Sequence, residues 1–372
     1  MQLENKTDRS EALDAARGAA IGLVLIWHLV EPFLRENYPD FAWTLGLAWS
    51  GVDLFFVLSG FLIGGLLMDH RGSERLLTTF YARRVCRIIP LYALLLIAFA
   101  LSSPGQNLWS YVTFTQNFVM ANSASWGPVW LVPTWSLAVE QQFYFLLPAI
   151  IILMPRSKLP YLLVFLIAIS PGMRMLLRTT YGNPFAPYLL FPGRMDALFL
   201  GVLAAWLIRH PPSFQWLAAN RRKLYVATGV VFLSLVVLSR LRAGWFGTVT
   251  FSVGYSSINL FYFLIVVLIA TTQARVPRLL KPLSWMGLGA YSLYLFHIPL
   301  VQQARMYFPS YPDTIAMIAL VLLSTLLWHT IEKPIVVFGH RRFRYGITPY
   351  RSDRDGELRI DRVSSMPGQD RA

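Results

Sequence analysis

The sequence predicts an all-α, polytopic integral membrane bundle of about ten transmembrane helices, with both termini cytoplasmic. Three observations carry that prediction. Of 372 residues, 55% are hydrophobic and only 14% charged, against roughly 25% charged in an ordinary soluble domain, and the mean hydropathy is +0.49. Long apolar runs recur from Ala19 to Val337, and in lipid only helices or closed barrels satisfy their own backbone. The basic residues gather in alternate short loops, as the positive-inside rule requires of a cytoplasmic face.

Windows of about 20 apolar residues fall near 15–34, 43–68, 88–103, 135–154, 159–176, 190–208, 224–239, 250–271, 283–304 and 313–337. The loop with Arg71, Arg75, Arg83, Arg84 and Arg87 is strongly basic, and so are the segments around Arg156, Arg221 and Arg278. The opposite loops are poorer in bases. Arg174, Arg178, Arg240, Arg242 and Arg305 are exceptions on the outer side, and the first four suit an acidic acceptor. This organisation divides the chain into a cytoplasmic segment 1–12, a transmembrane unit 13–338 and a polar tail 339–372, expected to be mostly disordered. The polar lead contains Glu4, Asp8, Glu11 and Asp14 and lacks the pattern of a cleaved signal. The net charge of +14 suits a membrane surface rather than nucleic acid, because it is spread over short loops. The single cysteine, Cys86, excludes an intrachain disulfide and argues against a cysteine metal site; no metal is expected. No internal repeat is visible, whereas many transporters carry one.

Within the first span, Arg17 and His28 stand eleven residues apart. In an α-helix that spacing returns to nearly the same face about 16 Å further along. Arg17 then lies near one membrane surface and His28 near mid-bilayer. An ionisable side chain in hydrocarbon costs about 2.5 kcal/mol or more unless it faces a bundle interior or a wet cavity. His28 is therefore the leading candidate for chemistry, since imidazole can take a proton from a hydroxyl at neutral pH; a satisfied structural histidine is the plainer alternative.

Glu140, in TWSLAVEQQFYFLLP, is an acid near the start of a span. It either orients His28, as a carboxylate does in a triad, or sits in interfacial water. Asp53, in GVDLFFVLSGFLIGGLL, enters another apolar span beside Ser59, and the glycines of that span permit close helix packing. Arg83, Arg84 and Arg87 form a basic run at the mouth of the third span, either a phosphate cradle or a topology signal. Pro90 follows in what reads as the first turns of that helix, where proline is tolerated. Arg194 and Asp196 begin a later span and either join a charged network or neutralise each other. His297 is a second buried ionisable residue, with Tyr291 and Tyr294 on nearby turns. The segment 101–134 has no charged residue and is rich in Trp, Asn, Ser and Pro. It reads either as an interfacial loop with Trp109, Trp126, Trp130 and Trp135 in the aromatic belt, or as part of an acceptor groove.

Taken in order, these strings resemble the membrane acyltransferase type 3 family, the O-acyltransferases of bacterial surface polysaccharides, nodulation factors and macrolides. The family opens with an arginine, ten residues and a histidine, here Arg17 to His28 in LDAARGAAIGLVLIWH. GVDLFFVLSGFLI, FYARRVCRIIPLY, WSLAVEQQFYFLLP, RMDALFLG, SLYLFH and IEKP match later landmarks. The resemblance covers about residues 13 to 335. It implies a multi-pass enzyme of the bacterial inner (plasma) membrane that moves an acyl group, acetyl or else succinyl, from cytoplasmic acyl-CoA to a sugar hydroxyl. Acyl-CoA would be a co-substrate rather than a resident cofactor. The acceptor would be a surface or exported polysaccharide or a lipid-linked glycan, and polysaccharide-assembly proteins the partners. Some relatives carry an extra periplasmic hydrolase-like domain; at 372 residues this chain is expected to lack one and to work alone or with a partner. The implied roles are His28 as base or acyl relay, with Glu140 and Asp53 beside it. Arg17, Arg83, Arg84 and Arg87 would hold donor phosphates; Arg194, Asp196, His297 and Trp135 would meet substrate. The rival reading is a proton-coupled transporter or flippase of a lipid-linked glycan, with the buried His, Asp and Glu as a proton relay.

Overall fold

The computed structural model describes residues 11–240, 250–272, 276–346, 350–352 and 358–360. The first ten residues, Arg242 and most of the expected tail lie outside them. Among the described residues nine helices are long and apolar enough to cross a membrane: Glu11–Asn37, Trp43–Asp69, Leu76–Ser102, Val129–Leu153, Leu159–Tyr181, Phe185–Arg209, Arg221–Arg240, Phe251–Thr272 and Pro312–Arg342. Each corresponds to one expected span. The remaining one, 283–304, is broken at Gly289 into Lys281–Leu288 and Ala290–Tyr307; the latter, which carries His297, is counted below as the ninth span and Pro312–Arg342 as the tenth. The chain is thus an all-α polytopic membrane bundle, with one short antiparallel pairing of Tyr350–Ser352 and Leu358–Ile360 beyond it.

Two expectations about the third span are corrected. It begins at Leu76, not near 88, so Arg83, Arg84 and Arg87 are helical rather than part of a loop. Long basic side chains form helix readily and can carry their heads outward along it. Pro90 consequently sits in mid-helix, where its missing N–H leaves the Cys86 carbonyl without its helical donor.

Small residues set the closest helix approaches. A Cβ on Gly60 would lie 2.0 Å from the Leu198 carbonyl oxygen, and one on Gly201 would lie 2.1 Å from that of Val57. The second and sixth spans therefore touch backbone to backbone, as the glycines of GVDLFFVLSGFLIGGLL allow. Beside that contact lies a buried charge network. Arg194 pairs with Asp53 across these two spans, and Arg174 of the fifth span pairs with Asp196 at 2.9 Å. Ser256 of the eighth span donates to Asp196 at 2.8 Å. All four charges are buried, and the network ties four spans together.

Segment 101–134 is a packed cap. It holds short helices at Trp109–Val112 and Gln116–Ser123 and a tight turn at Val129–Leu131. Two buried amides fasten it: Gln116 Nε2 donates to the Thr134 carbonyl (2.8 Å) and Asn117 Nδ2 to that of Leu189 (3.1 Å). The tail boundary set at 338 falls inside the last helix, Lys333–Arg342. Residues 343–346 then run back along the start of the third span, where Thr79 Oγ1 donates to the Arg344 carbonyl at 3.1 Å and Tyr345 packs against His70 with ring centroids 3.9 Å apart.

Candidate active site

Local geometry singles out His28. The first span is α-helical from Glu11 to Leu25, then widens into one π-helical turn over Ile26–Val30 before resuming as Glu31–Asn37. Such π turns insert a residue into the helix and re-aim its side chains. His28 lies at the centre of this one. Its Nδ1 donates to the Val24 carbonyl at 2.9 Å; a carbonyl oxygen only accepts, so the proton is on Nδ1 and Nε2 keeps its lone pair.

His28 lines a cavity of about 760 Å³ whose walls are largely aromatic: Trp27, Trp49, Trp126, Trp135, Tyr188 and Tyr294. His297 enters the same cavity from the ninth span, its ring centroid 4.9 Å from that of His28. It too is fixed through Nδ1, which donates to the Tyr294 carbonyl at 2.6 Å. Its buried Nε2 meets no hydrogen-bond partner among the described residues. Gly127, Val129, Val132 and Pro133 bring the uncharged cap into the wall, which joins segment 101–134 to the site rather than leaving it a plain interfacial loop.

A second, narrower cavity of about 110 Å³ adjoins the first and is lined by Arg17, Arg84, Arg87, Ser59, Glu140 and Tyr144 among others. Glu140 accepts a short hydrogen bond from Ser59 Oγ and another from the Tyr144 hydroxyl at 2.6 Å. The Arg84 guanidinium stands 5.8 Å from the Tyr144 ring centre, and Arg17 lies 3.6 Å from Asp14. The first span thus presents a cation to the small cavity and an imidazole to the large one, with the π turn at Ile26–Val30 intervening between the two residues.

The structure therefore brings together His28, His297 and Trp135 in one cavity and Arg17, Arg84, Arg87 and Glu140 in the next. Glu140 is not the orienter of His28; the Val24 carbonyl does that, while the acid serves Ser59 and Tyr144. Asp53, Arg194 and Asp196 line neither cavity. Asp53 is consumed by Arg194, and Asp196 by Arg174, so Arg194 and Asp196 do not neutralise each other. The network still backs the site, because the Arg194 guanidinium lies 5.1 Å from the centre of the Tyr188 ring in the cavity wall. Arg83 also points elsewhere: adjacent helical residues diverge by about 100°, and its Nη2 and Nε donate to the Phe343 carbonyl at 2.7 and 3.0 Å. Arg174 is fully buried, which removes it from any acidic-acceptor surface. Sequence reasoning gave no role to Trp27, Trp49, Tyr144 and Tyr188. Tyr144 carries a signal, four residues after Glu140 and so on its helix face, whereas Trp49 and Tyr188 reach the cavity only through the fold.

The chain belongs to the acyltransferase type 3 family, whose model, described as an acyltransferase domain, matches residues 10–331. Among curated relatives, it is 27% identical over 373 residues to the O-acetyltransferase OatA of Staphylococcus aureus (strain NCTC 8325), covering 90% of this chain and 58% of that protein. It is 25% identical over 363 residues to the putative peptidoglycan O-acetyltransferase YrhL of Bacillus subtilis (strain 168), covering 89% and 55%. The chain thus spans little more than half the length of these relatives. No solved structure matches it significantly.

Proposed function

We propose that the chain is an O-acyltransferase of the bacterial inner membrane that moves an acyl group, acetyl in the first instance, from acyl-CoA to a sugar hydroxyl. The observation that carries this reading is His28: a histidine with its Nδ1 proton held by a main-chain carbonyl and its Nε2 lone pair available in an aromatic cavity. Nε2 accepts the proton of the acceptor hydroxyl as that oxygen attacks the thioester carbonyl. A C–O bond forms, the C–S bond breaks, and the departing thiolate takes the proton from the imidazolium to leave free CoA thiol. The acyl ester stays on the sugar.

The two cavities divide the substrates. Guanidinium groups match phosphate oxygens in a bidentate way, so Arg17, Arg84 and Arg87 hold the phosphates of acyl-CoA at the basic, cytoplasmic end. The larger cavity takes the acceptor, since flat aromatic faces such as Trp135, Trp126 and Tyr188 pack well on sugar rings. The names of OatA and YrhL support acetyl as the acyl group, and that of YrhL supports peptidoglycan as the acceptor; another surface or lipid-linked glycan as acceptor, and polysaccharide-assembly proteins as partners, follow only from the family resemblance.

The test is release of thiol from acetyl-CoA by purified protein in detergent, with and without soluble peptidoglycan fragments, for the wild type and His28→Ala. Acceptor-dependent release that disappears in the variant is the expected result. Release that survives His28→Ala moves the base elsewhere, and movement of a lipid-linked glycan with no consumption of acyl-CoA, succinyl-CoA included, turns the reading into a flippase.

A further inference from the structure

Away from both of these cavities lies a further one of about 460 Å³, which shares no described lining residue with either. The first span lines it with Ala12, Ala15, Ala16, Ala19 and Leu23, one stripe at helical spacing. Arg17, which faces the small cavity, stands about 100° round the helix from Ala16. Leu235 of the seventh span and Phe261 and Ile265 of the eighth add to the wall. At Phe232 and Leu280, wall residues that stay exposed, the cavity reaches the side of the bundle. Three side chains among the described lining residues carry a hydroxyl, and all three are spent. Ser50 Oγ and the Tyr262 hydroxyl share a hydrogen bond at 2.7 Å, and Thr272 Oγ1 donates to the Leu268 carbonyl at 2.8 Å. Nothing there offers water the two to four polar partners that hold it in an interior. An empty void of this size would forfeit packing along its whole wall. What fits is hydrocarbon.

Its length and its charged end say which hydrocarbon. From Ala12 to Leu23 the wall runs eleven residues, about 16 Å of helix. That is close to half the roughly 30 Å hydrocarbon thickness of a bilayer, the depth of one leaflet. The Ala12 end is the end of Arg17, Arg84 and Arg87, so the leaflet is the one on the basic side. Cations gather at that end. Arg278 and Lys281 are exposed and flank the wall residues Pro277, Leu280 and Leu283 in sequence. Arg221 donates through Nη2 to the carbonyl of Thr271, next to Thr272, while its Nε meets no partner among the described residues. Of the acids beside wall residues in sequence, Asp14 lies against Arg17 and Asp53 is paired with Arg194, which leaves Glu11. We propose that this cavity binds one acyl chain of an anionic glycerophospholipid, with the lipid phosphate at Arg221, Arg278 and Lys281. A lipid-linked acceptor is a different molecule in a different place, because its sugar approaches from the opposite, capped end of the bundle.

The experiment is native mass spectrometry of the full-length protein in mild detergent, titrated with phosphatidylglycerol and with phosphatidylcholine of the same 16-carbon chains. The wild type is expected to take up one phosphatidylglycerol at least about fivefold more tightly than phosphatidylcholine, the worth of one basic residue near an anionic surface. Arg278→Gln combined with Lys281→Gln should abolish that preference. Ala19→Phe, which fills the cavity, should cut binding of both lipids at least 10-fold, whereas Val230→Phe, an exposed position of the same bundle outside the wall, should leave it within about twofold. Equal affinity of the wild type for the two lipids overturns the proposal, and so does full lipid uptake by folded Ala19→Phe. If Ala19→Phe does not fold, the glutamine pair decides, since both positions are exposed: a preference unchanged by it removes the phosphate site. A polyprenyl phosphate that displaces phosphatidylglycerol at equal concentration overturns the choice of a glycerophospholipid.

Discussion

The rings of His28 and His297 stand edge to face, 4.9 Å apart, and each donates its Nδ1 proton to a main-chain carbonyl of its own helix. Two Nε2 lone pairs are thereby set in one cavity wall with no donor among the described residues, a geometry that suits the acceptor hydroxyl of the proposed reaction. His28→Ala should reduce acceptor-dependent thiol release by about 100-fold or more, the ordinary worth of a positioned base. His297→Phe, which keeps a ring but loses the lone pair, should raise the acceptor KM more than it lowers kcat. Steady-state thiol release at varied acceptor concentration reads both.

The arginines of the third span should separate by face. Arg84→Ala and Arg87→Ala each remove a cation from the small cavity and should raise the KM for acyl-CoA by about 10- to 150-fold, the loss of one charge-assisted contact of about 1.5–3 kcal/mol. Arg83→Ala should change that KM far less. Its lost bonds are to the Phe343 carbonyl, so the result to look for is faster proteolysis after Arg342, measured by limited trypsin digestion.

Asp53 and Arg194 should behave as a structural unit. Breaking a buried pair leaves one charge uncompensated, at about 3–5 kcal/mol. Asp53→Ala should lower thermal stability in detergent steeply, while Asp53→Leu combined with Arg194→Met, which removes both charges, should recover much of the loss. A single variant as stable as the wild type would contradict the burial of both side chains.

The glycine contact between the second and sixth spans allows no side chain. Gly60→Val places atoms where the Leu198 carbonyl already is, so the helices must separate at a cost of about 1–3 kcal/mol or more. Ala at Gly22, where nothing lies within 4 Å of an added Cβ, is the control and should be tolerated. Monodispersity on size exclusion and thermal unfolding of the two variants distinguish them.

Much of this protein is determined by the sequence alone. Apolar runs fix nine of the ten expected spans among the described residues, because a bilayer demands length and apolarity whatever the neighbours are. The ordered motifs name the family, whereas the π turn at Ile26–Val30 that aims His28 is not written in the eleven-residue spacing from Arg17. Tertiary structure decides what spans do to one another. Asp53 looks like a catalytic acid until Arg194, 141 residues away, is seen to consume it. Glu140 looks like the partner of His28 until Ser59 and Tyr144 take its oxygen. Trp49 and Tyr188 enter the cavity wall only because distant helices converge there. Charge pairing and cavity walls are contacts between elements, and no local periodicity encodes which side chain a buried carboxylate will meet.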